Sequence, residues 1–260
     1  MAARRGLATL VAVGACAQTI VGCDADADRP DGRDPAPALT EASTPTASAG
    51  PDDRLVRVVV EHVCTNSELT RCPAPEDRPP PLEVEVAVPE GWQQLEEFPN
   101  VISPDLPTPT EGPDGAALLL GWTTFQVGLN SDPCLTAAEV DQFPDGHETP
   151  DVRVGPSVDD FVEAVQEVRA FDVTRPVDTE VGGHPARFFS LEGPDDLSAC
   201  DLWRPWDPGI FAQGESNHWD VWAVDVDGDR VVILAQHFPD TPPQAVAQLD
   251  AMVATIRFEA

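Results

Sequence analysis

The chain has 260 residues and a formal net charge of −31, from 46 Asp and Glu against 15 basic residues that are all Arg, and it contains no Tyr. Acidic residues run along its whole length, and such a surface repels polyanions and anionic headgroups, so nucleic acid is not an expected partner and a basic patch is not the expected membrane contact. The absence of Lys beside abundant Ala, Val, Pro, Asp and Arg is the composition of a high-GC genome.

Arg4 and Arg5 precede an apolar run over residues 7–21 that ends in Ile20-Val21-Gly22-Cys23, and acidic, Pro-rich sequence follows at once. A basic start, a short apolar core and a small residue ahead of a cysteine predict a lipoprotein signal peptide over residues 1–22, with Cys23 as the lipid acceptor. A membrane-spanning helix needs roughly 20 apolar residues, and Gly14, Gln18 and Thr19 interrupt this run. Val13-Gly14-Ala15-Cys16 is a poorer match, because Gly14 stands where a branched or Ala residue is preferred. Loss of Arg4 and Arg5 on export lowers the net charge from −31 to −33. Residues 23–53 carry Asp, Pro, Ala, Ser and Thr with almost no large apolar side chain, too little to offset chain entropy, and are expected to be a disordered tether. A flexible segment of about 30 residues spans on the order of 30 Å. Asp24, Asp26 and Asp28 lack the glycine and distal glutamate of a calcium loop and read as solvated acids.

Residues 54–260 are expected to form one extracytoplasmic domain. Arg57-Val58-Val59-Val60-Glu61-His62-Val63 has the β-branched content of a strand, and Leu82-Glu83-Val84-Glu85-Val86-Ala87-Val88 alternates as a half-buried strand does. Pro89-Glu90-Gly91-Trp92 predicts a turn with a tryptophan folded back onto the sheet. Residues 116–127 read as a buried strand interrupted by Gly121. Ser157-Val158-Asp159-Asp160 resembles a capping box in front of Phe161, Val162, Val165, Val168 and Phe171, predicting a helix over 158–170. Strands follow at 186–191, after a Gly182-Gly183 turn, and at 219–226 and 230–237, the last two joined as a hairpin by Asp227-Gly228. Thr241-Pro242-Pro243-Gln244 supplies a cap and a starting proline for a closing helix whose buried stripe is Leu249, Met252, Val253 and Ile256. The expected class is α+β: a single curved, mostly antiparallel sheet packed with two main helices, the second ending the chain.

Once Cys16 is removed and Cys23 lipidated, Cys64, Cys72, Cys134 and Cys200 remain, an even number suited to an oxidising compartment. Four cysteines allow three pairings. The seven residues between Cys64 and Cys72 suit a hairpin loop, which leaves Cys134 for Cys200. Neither a CxxC nor an HxxxH spacing supports a zinc site in their place. Asp225-Val226-Asp227-Gly228-Asp229 resembles part of a calcium loop, but the apolar flanks demand a tight reversal there. His62, His147, His184, His218 and His237 share no spacing, Gly-x-Ser-x-Gly is absent, and carboxylates are too common to single out an acid pair. No catalytic residue, metal or cofactor is therefore expected. Trp203, Trp206, Trp219 and Trp222 fall close together, with Pro205, Pro208, Gly209 and Phe211 beside them. Two readings stand: an aromatic-lined recess for a sugar, lipid or peptide, or core packing around Cys200.

Several pieces, in order, resemble a recurrent extracytoplasmic module of actinobacterial lipoproteins. They are Pro89-Glu90-Gly91-Trp92, Asp132-Pro133-Cys134, Gly155-Pro156-Ser157-Val158-Asp159-Asp160, Val181-Gly182-Gly183-His184-Pro185, Cys200, Pro205-Trp206-Asp207-Pro208-Gly209, Trp222-Ala223-Val224-Asp225-Val226-Asp227-Gly228 and Phe238-Pro239-Asp240-Thr241. The module has no established activity. The resemblance spans residues 82–258, implies a Cys134–Cys200 bridge, and in layout is similar to small α/β/α domains of the PsbP or Mog1-like type. His184 departs from it, standing where the group carries an aromatic residue. The functional expectation is a lipid-anchored, non-enzymatic binding or accessory protein on the extracytoplasmic side of the cell membrane. Its partners would be the membrane through the anchor and an envelope protein, sugar or lipid. The alternatives are a hydrolase or metal-dependent enzyme with a site assembled from distant carboxylates and His, and a structural partner of another envelope protein.

Overall fold

Strict alternation is what makes the first pair of strands a sheet with one wet face. The computed structural model describes residues 53–60, 74–77, 80–104, 114–121, 128–140, 151–152, 154–203, 205–207 and 214–259, all within the compact unit Thr44–Ala260. Strand β1 (Arg54–Val60) pairs antiparallel with β2 (Leu82–Val88), Val60 opposite Leu82. Val56, Val58 and Val60 are buried together with Val84, Val86 and Val88. On the other face Arg57 reaches Glu83 at 2.9 Å, Glu85 at 3.4 Å and Glu259 at 3.1 Å. These pairs are exposed and contribute little singly. Cys23, Cys64, Cys72, His62, His147, Phe211 and the stretches 1–52, 61–63 and 122–127 lie outside the described residues.

Gly91, at φ +82, turns the chain into β3 (Trp92–Gln94), which pairs with β4 (Val101–Pro104). Trp92 folds back as expected, and its Nε1 donates to Gln248 Oε1 at 2.9 Å. Strand β5 (Ala116–Leu120) is buried throughout. Two short ribbons follow, β6 (Gly128–Leu129) with β12 (Trp206–Asp207), and β7 (Cys134–Leu135) with β11 (Leu202–Trp203). Beside the second, Cys134 and Cys200 are joined with an S–S distance of 2.05 Å. After a single helical turn, α1 (Ala137–Val140), comes α2 (Val158–Glu167).

Helix α2 opens on the capping box that the sequence predicts. Ser157 Oγ accepts from Asp160 N–H at 3.1 Å, and Asp160 Oδ2 accepts from Ser157 N–H at 2.9 Å. The hydrogen bonds from Ser157 hold the Asp160 carboxyl below its usual range. The helix is shorter than the predicted 158–170, because Val168 N–H turns back to Val165 O and the chain leaves through a tight turn. That turn still delivers Val168 and Phe171 to the core.

The rest of the main sheet is β8 (Asp172–Val173), β9 (Val177–Val181), β10 (His184–Glu192), β13 (His218–Val226) and β14 (Asp229–His237). Its order is β3-β4-β5-β14-β13-β10-β8, with β9 also on β10, and the pairings are antiparallel. Helix α3 (Pro243–Ala254) follows. Here Thr241 does not cap the helix: its Oγ1 accepts from Phe238 N–H at 2.8 Å and donates to Gly115 O at 2.6 Å, and Pro242 takes the cap position. The chain does not end as this helix either. Strand β15 (Arg257–Glu259) adds to β2, with Phe258 opposite Val84.

The α+β class and the mostly antiparallel pairing hold, but the strands are shared between two main sheets rather than one. Burial on both faces of β14 explains this. Its odd residues Val231, Ile233 and Ala235 pack with α3 and the β1-β2-β15 sheet, while its even residues Val232 and Leu234 pack with Phe161, Val162 and Val165 of α2. A strand apolar on both faces requires a covering layer on each. Arg230, on the α2 side, is buried beneath the start of that helix. It donates to the carbonyls of Gly155 and of Ser157 (2.9 Å) and lies 5.3 Å from the centre of the Phe161 ring. Burial pushes its pKa down to about 10, so it stays charged at neutral pH.

Two stability outcomes follow from this geometry. The Cys134–Cys200 bridge closes a separation of 66 residues, and on loop entropy its replacement by a Ser pair is expected to cost about 4 kcal/mol in denaturant titrations. Gly182 (φ +59) and Gly183 (φ +83) form the two-residue turn between β9 and β10. A Cβ at Gly182 would meet the Phe258 ring at 2.9 Å and Ile256 O at 3.1 Å, whereas one at Gly183 meets nothing within 4 Å. Gly183→Ala is expected to lose about 1–2 kcal/mol from left-handed backbone strain, and Gly182→Ala more, as urea unfolding would measure.

Candidate functional site

The hairpin at the sheet centre determines what meets on each face. Asp227 (φ 55) and Gly228 (φ 95) form a two-residue turn with Val226 opposite Asp229, and Asp225 Oδ1 accepts from Gly228 N–H at 2.8 Å. Both positive φ values are those of the turn whose twist matches antiparallel strands. Asp225 and Gly228 thus serve the reversal, as the apolar flanks predicted. From this turn the register runs to the far end of the hairpin, where His218 stands opposite His237.

His218, Asp220 and Trp222 alternate onto the face that also carries Val224 and Val226 of β13 and Val231, Ile233 and Ala235 of β14. His237 continues that face at the end of β14, and Ser190 of β10 lies opposite Asp220. The face is therefore apolar in its middle and polar at this end. The two imidazoles stack with ring centres 4.5 Å apart. His218 Nε2 is 3.4 Å from Asp220 Oδ1, and Ser190 Oγ donates to the same oxygen. Each of the three residues offers a ligand atom within 4.8 Å of the others. Next to them Asp172, Thr174, Ser190, Glu192 and His218 line an open groove of about 190 Å³.

Electrostatics separates the two histidines. The hydrogen bond to Asp220 raises the His218 pKa, with burial opposing it and the charges of Asp220 and Glu192 adding to it. Burial, and then the charge on His218, lowers that of His237. Burial works to raise Asp220, but hydrogen bonds from His218 and Ser190 outweigh it and hold the carboxyl below its usual range. Ser190 and His218 both address Asp220, so the carboxylate stands between serine and imidazole. In a nucleophile-activating triad the imidazole occupies that middle place. The arrangement suits holding a proton or a cation.

Of the four tryptophans, the three whose side chains are described, Trp203, Trp219 and Trp222, do not share one recess. Trp203 and Trp219, 6% and 1% exposed, are core on the α2 side. Both pack edge-on to Phe171, with ring centres at 5.9 and 5.3 Å, and Trp219 Nε1 donates to Gln236 Oε1. Trp222, three residues from Trp219 on one strand, points to the opposite face and packs 5.0 Å from Phe188. Trp206 pairs through its backbone with Leu129, and its side chain lies outside the described residues. His184 sits apart, edge-on to Phe258. Sequence spacing did not reveal His218, Asp220, His237 and Ser190 as a group. The signal that joins two of them is the hairpin register: counting outward from Asp227-Gly228 sets His218 against His237.

No family model and no curated protein matches the chain. Among solved structures it is similar to cyanobacterial PsbP (CyanoP) from Synechocystis sp. PCC 6803, at 10% identity and a TM-score of 0.27, over 83% of this chain and 100% of that one.

The two imidazoles are expected to titrate apart. In an NMR pH titration His218 should have its midpoint above the ordinary imidazole value of 6.5 and His237 below it. As pH falls His218 takes its proton first, and the resulting charge keeps His237 neutral. Asp220→Asn should move the His218 midpoint down, because it exchanges a charged carboxylate acceptor for a neutral amide and so removes the negative charge that favours the protonated ring.

Proposed function

We propose that this chain is a lipid-anchored, extracytoplasmic binding or accessory protein of the cell envelope, without catalytic activity of its own. The observation that carries the reading is Ile20-Val21-Gly22-Cys23 behind Arg4-Arg5 and an apolar run, with an acidic Pro-rich stretch directly after it. In this proposal residues 1–22 are cleaved on export, Cys23 receives the lipid, residues 23–53 are the tether, and residues 54–260 are the domain it presents. The Cys134–Cys200 disulfide supports an oxidising location, since such bonds are rare in reducing compartments. A charge of −33 after export supports anchoring by acyl chains, because the protein surface itself is repelled by anionic headgroups. Ligand contact is placed on the β13 face, where Trp222 and Phe188 offer aromatic surface beside Asp220 and the groove.

Mass spectrometry of the N-terminal peptide from the membrane fraction tests the anchor. The expected product begins at a diacylglycerol-modified Cys23, and Cys23→Ala should leave the chain unprocessed and unlipidated. An unmodified wild-type chain beginning at any other residue would overturn the proposal.

A further inference from the structure

We propose that His218, Asp220 and His237 form a binding site for a zinc-class divalent transition-metal ion, with two imidazole nitrogens and one carboxylate oxygen as ligands and a further position open to the groove. This goes beyond the anchoring reading, whose residues and measurements differ, and it deepens the ligand contact proposed on the β13 face, with which it shares Asp220 and the groove.

The donor set selects the class of ion. Two imidazoles with one carboxylate suit borderline ions such as Zn²⁺, Ni²⁺ or Cu²⁺, whereas Ca²⁺ and Mg²⁺ are held by oxygen alone. The geometry is close to closed. With metal–ligand bonds of about 2.0–2.1 Å, tetrahedral ligands stand about 3.3 Å from one another. His218 Nε2 and Asp220 Oδ1 are already 3.4 Å apart, and all three ligand atoms lie within 4.8 Å. Drawing the third ligand in asks for about 1.5 Å of side-chain movement, with no change of backbone register. The scaffold is stiff: His218 and His237 face each other across paired strands, and Asp220 is two residues from His218 on the same face. Ser190, donating to Asp220 Oδ1, orients the carboxylate as outer hydrogen-bond partners do for metal ligands. Partial burial, with 32% of the His218 side chain and 19% of the Asp220 side chain exposed, leaves a path for the ion and for a water ligand. The net charge of −31 raises the local concentration of cations around the whole molecule.

The test uses the full-length protein in detergent, without a histidine tag and stripped by chelator. It is titrated with Zn²⁺ by calorimetry and with Co²⁺ by visible absorption. One ion per chain is expected, with the strong d–d absorption of four-coordinate Co²⁺. His237→Ala should weaken binding about 100-fold and Ser190→Ala about 10-fold, while His184→Ala leaves it unchanged. Zn²⁺ should raise the wild-type melting temperature by mass action, an effect lost in His237→Ala. Two results overturn the proposal: no saturable uptake of one ion by the wild type at micromolar Zn²⁺, or uptake retained in a folded His218→Ala/His237→Ala double variant, which would assign the ion to scattered carboxylates. Should those variants fail to fold, the wild type still decides by NMR. Zn²⁺ must shift the imidazole signals of His218 and His237 and leave that of His184 in place, and unmoved His218 and His237 signals refute the site.

Discussion

Strand β14 is the constraint from which the rest of the structure follows. Residues 230–236 are all buried, so neither face of the strand can be left to water. Antiparallel sheets commonly wet one face, and the departure here forces a three-layer arrangement. One layer is α2, whose apolar stripe of Phe161, Val162 and Val165 meets Val232, Leu234 and their neighbours Ala117, Leu119, Val221 and Ala223. The other is α3 with the β1-β2-β15 sheet, whose valines meet Val231, Ile233, Leu118 and Val224. The two apolar clusters are sorted by residue parity along β5, β13 and β14, so a single alternation divides the core. A polar insertion tightens the α2 side: Arg230 sits where an apolar residue would fill the same space and binds the carbonyls that lead into the helix. That contact couples the first turn of α2 to the central strand, with the capping box supplying its remaining partners.

An acidic chain has to accommodate its own charge on the outside of these layers. The only charged residue buried among the described ones is Arg230. Elsewhere a few arginines are shared among several carboxylates: Arg57 among Glu83, Glu85 and Glu259, and Arg187 between Asp159 of α2 and Asp178 of β9. Each pair is exposed and weak alone. Their placement matters more than their number, since each arginine sits where two or three elements bring carboxylates side by side. The same face-by-face logic explains the His218 end of β13. Covering apolar residues gives way there to Ser190, His218, Asp220 and His237, so the polar groups gather where the apolar layer runs out.

Much of the fold was legible because local signals agreed with it. The alternation of residues 82–88, the capping box at Ser157, the Asp227-Gly228 turn and the apolar stripe of α3 each have a physical reason that needs no distant partner. What escaped depended on distant partners. Strand β15 is three residues long and exists because β2 offers an open edge, and nothing in Arg-Phe-Glu alone marks it. The cap expected at Thr241 failed because its hydroxyl is used by Phe238 N–H and Gly115 O, a contact across 126 residues of sequence. Proximity in sequence also misled at the tryptophans. Trp219 and Trp222 are close along the strand, but an odd spacing places them on opposite faces, one as core and one beside Phe188.

The candidate site shows how a turn can determine chemistry far from itself. His218 and His237 are 19 residues apart in sequence, and none of the usual metal-ligand spacings joins them. They meet because a two-residue turn at Asp227-Gly228 sets the register of nine cross-strand pairs, of which theirs is the last. Slippage by one residue in β13 would send every side chain to the other face. His218 and Asp220 would then enter the apolar layer under α2, and Trp219 and Val221 would be turned out of it. The burial of Trp219, Val221 and Ala223 against α2 therefore enforces the register that aligns His218, Asp220 and His237. In this molecule the packing of one sheet face is what assembles the polar group on the other.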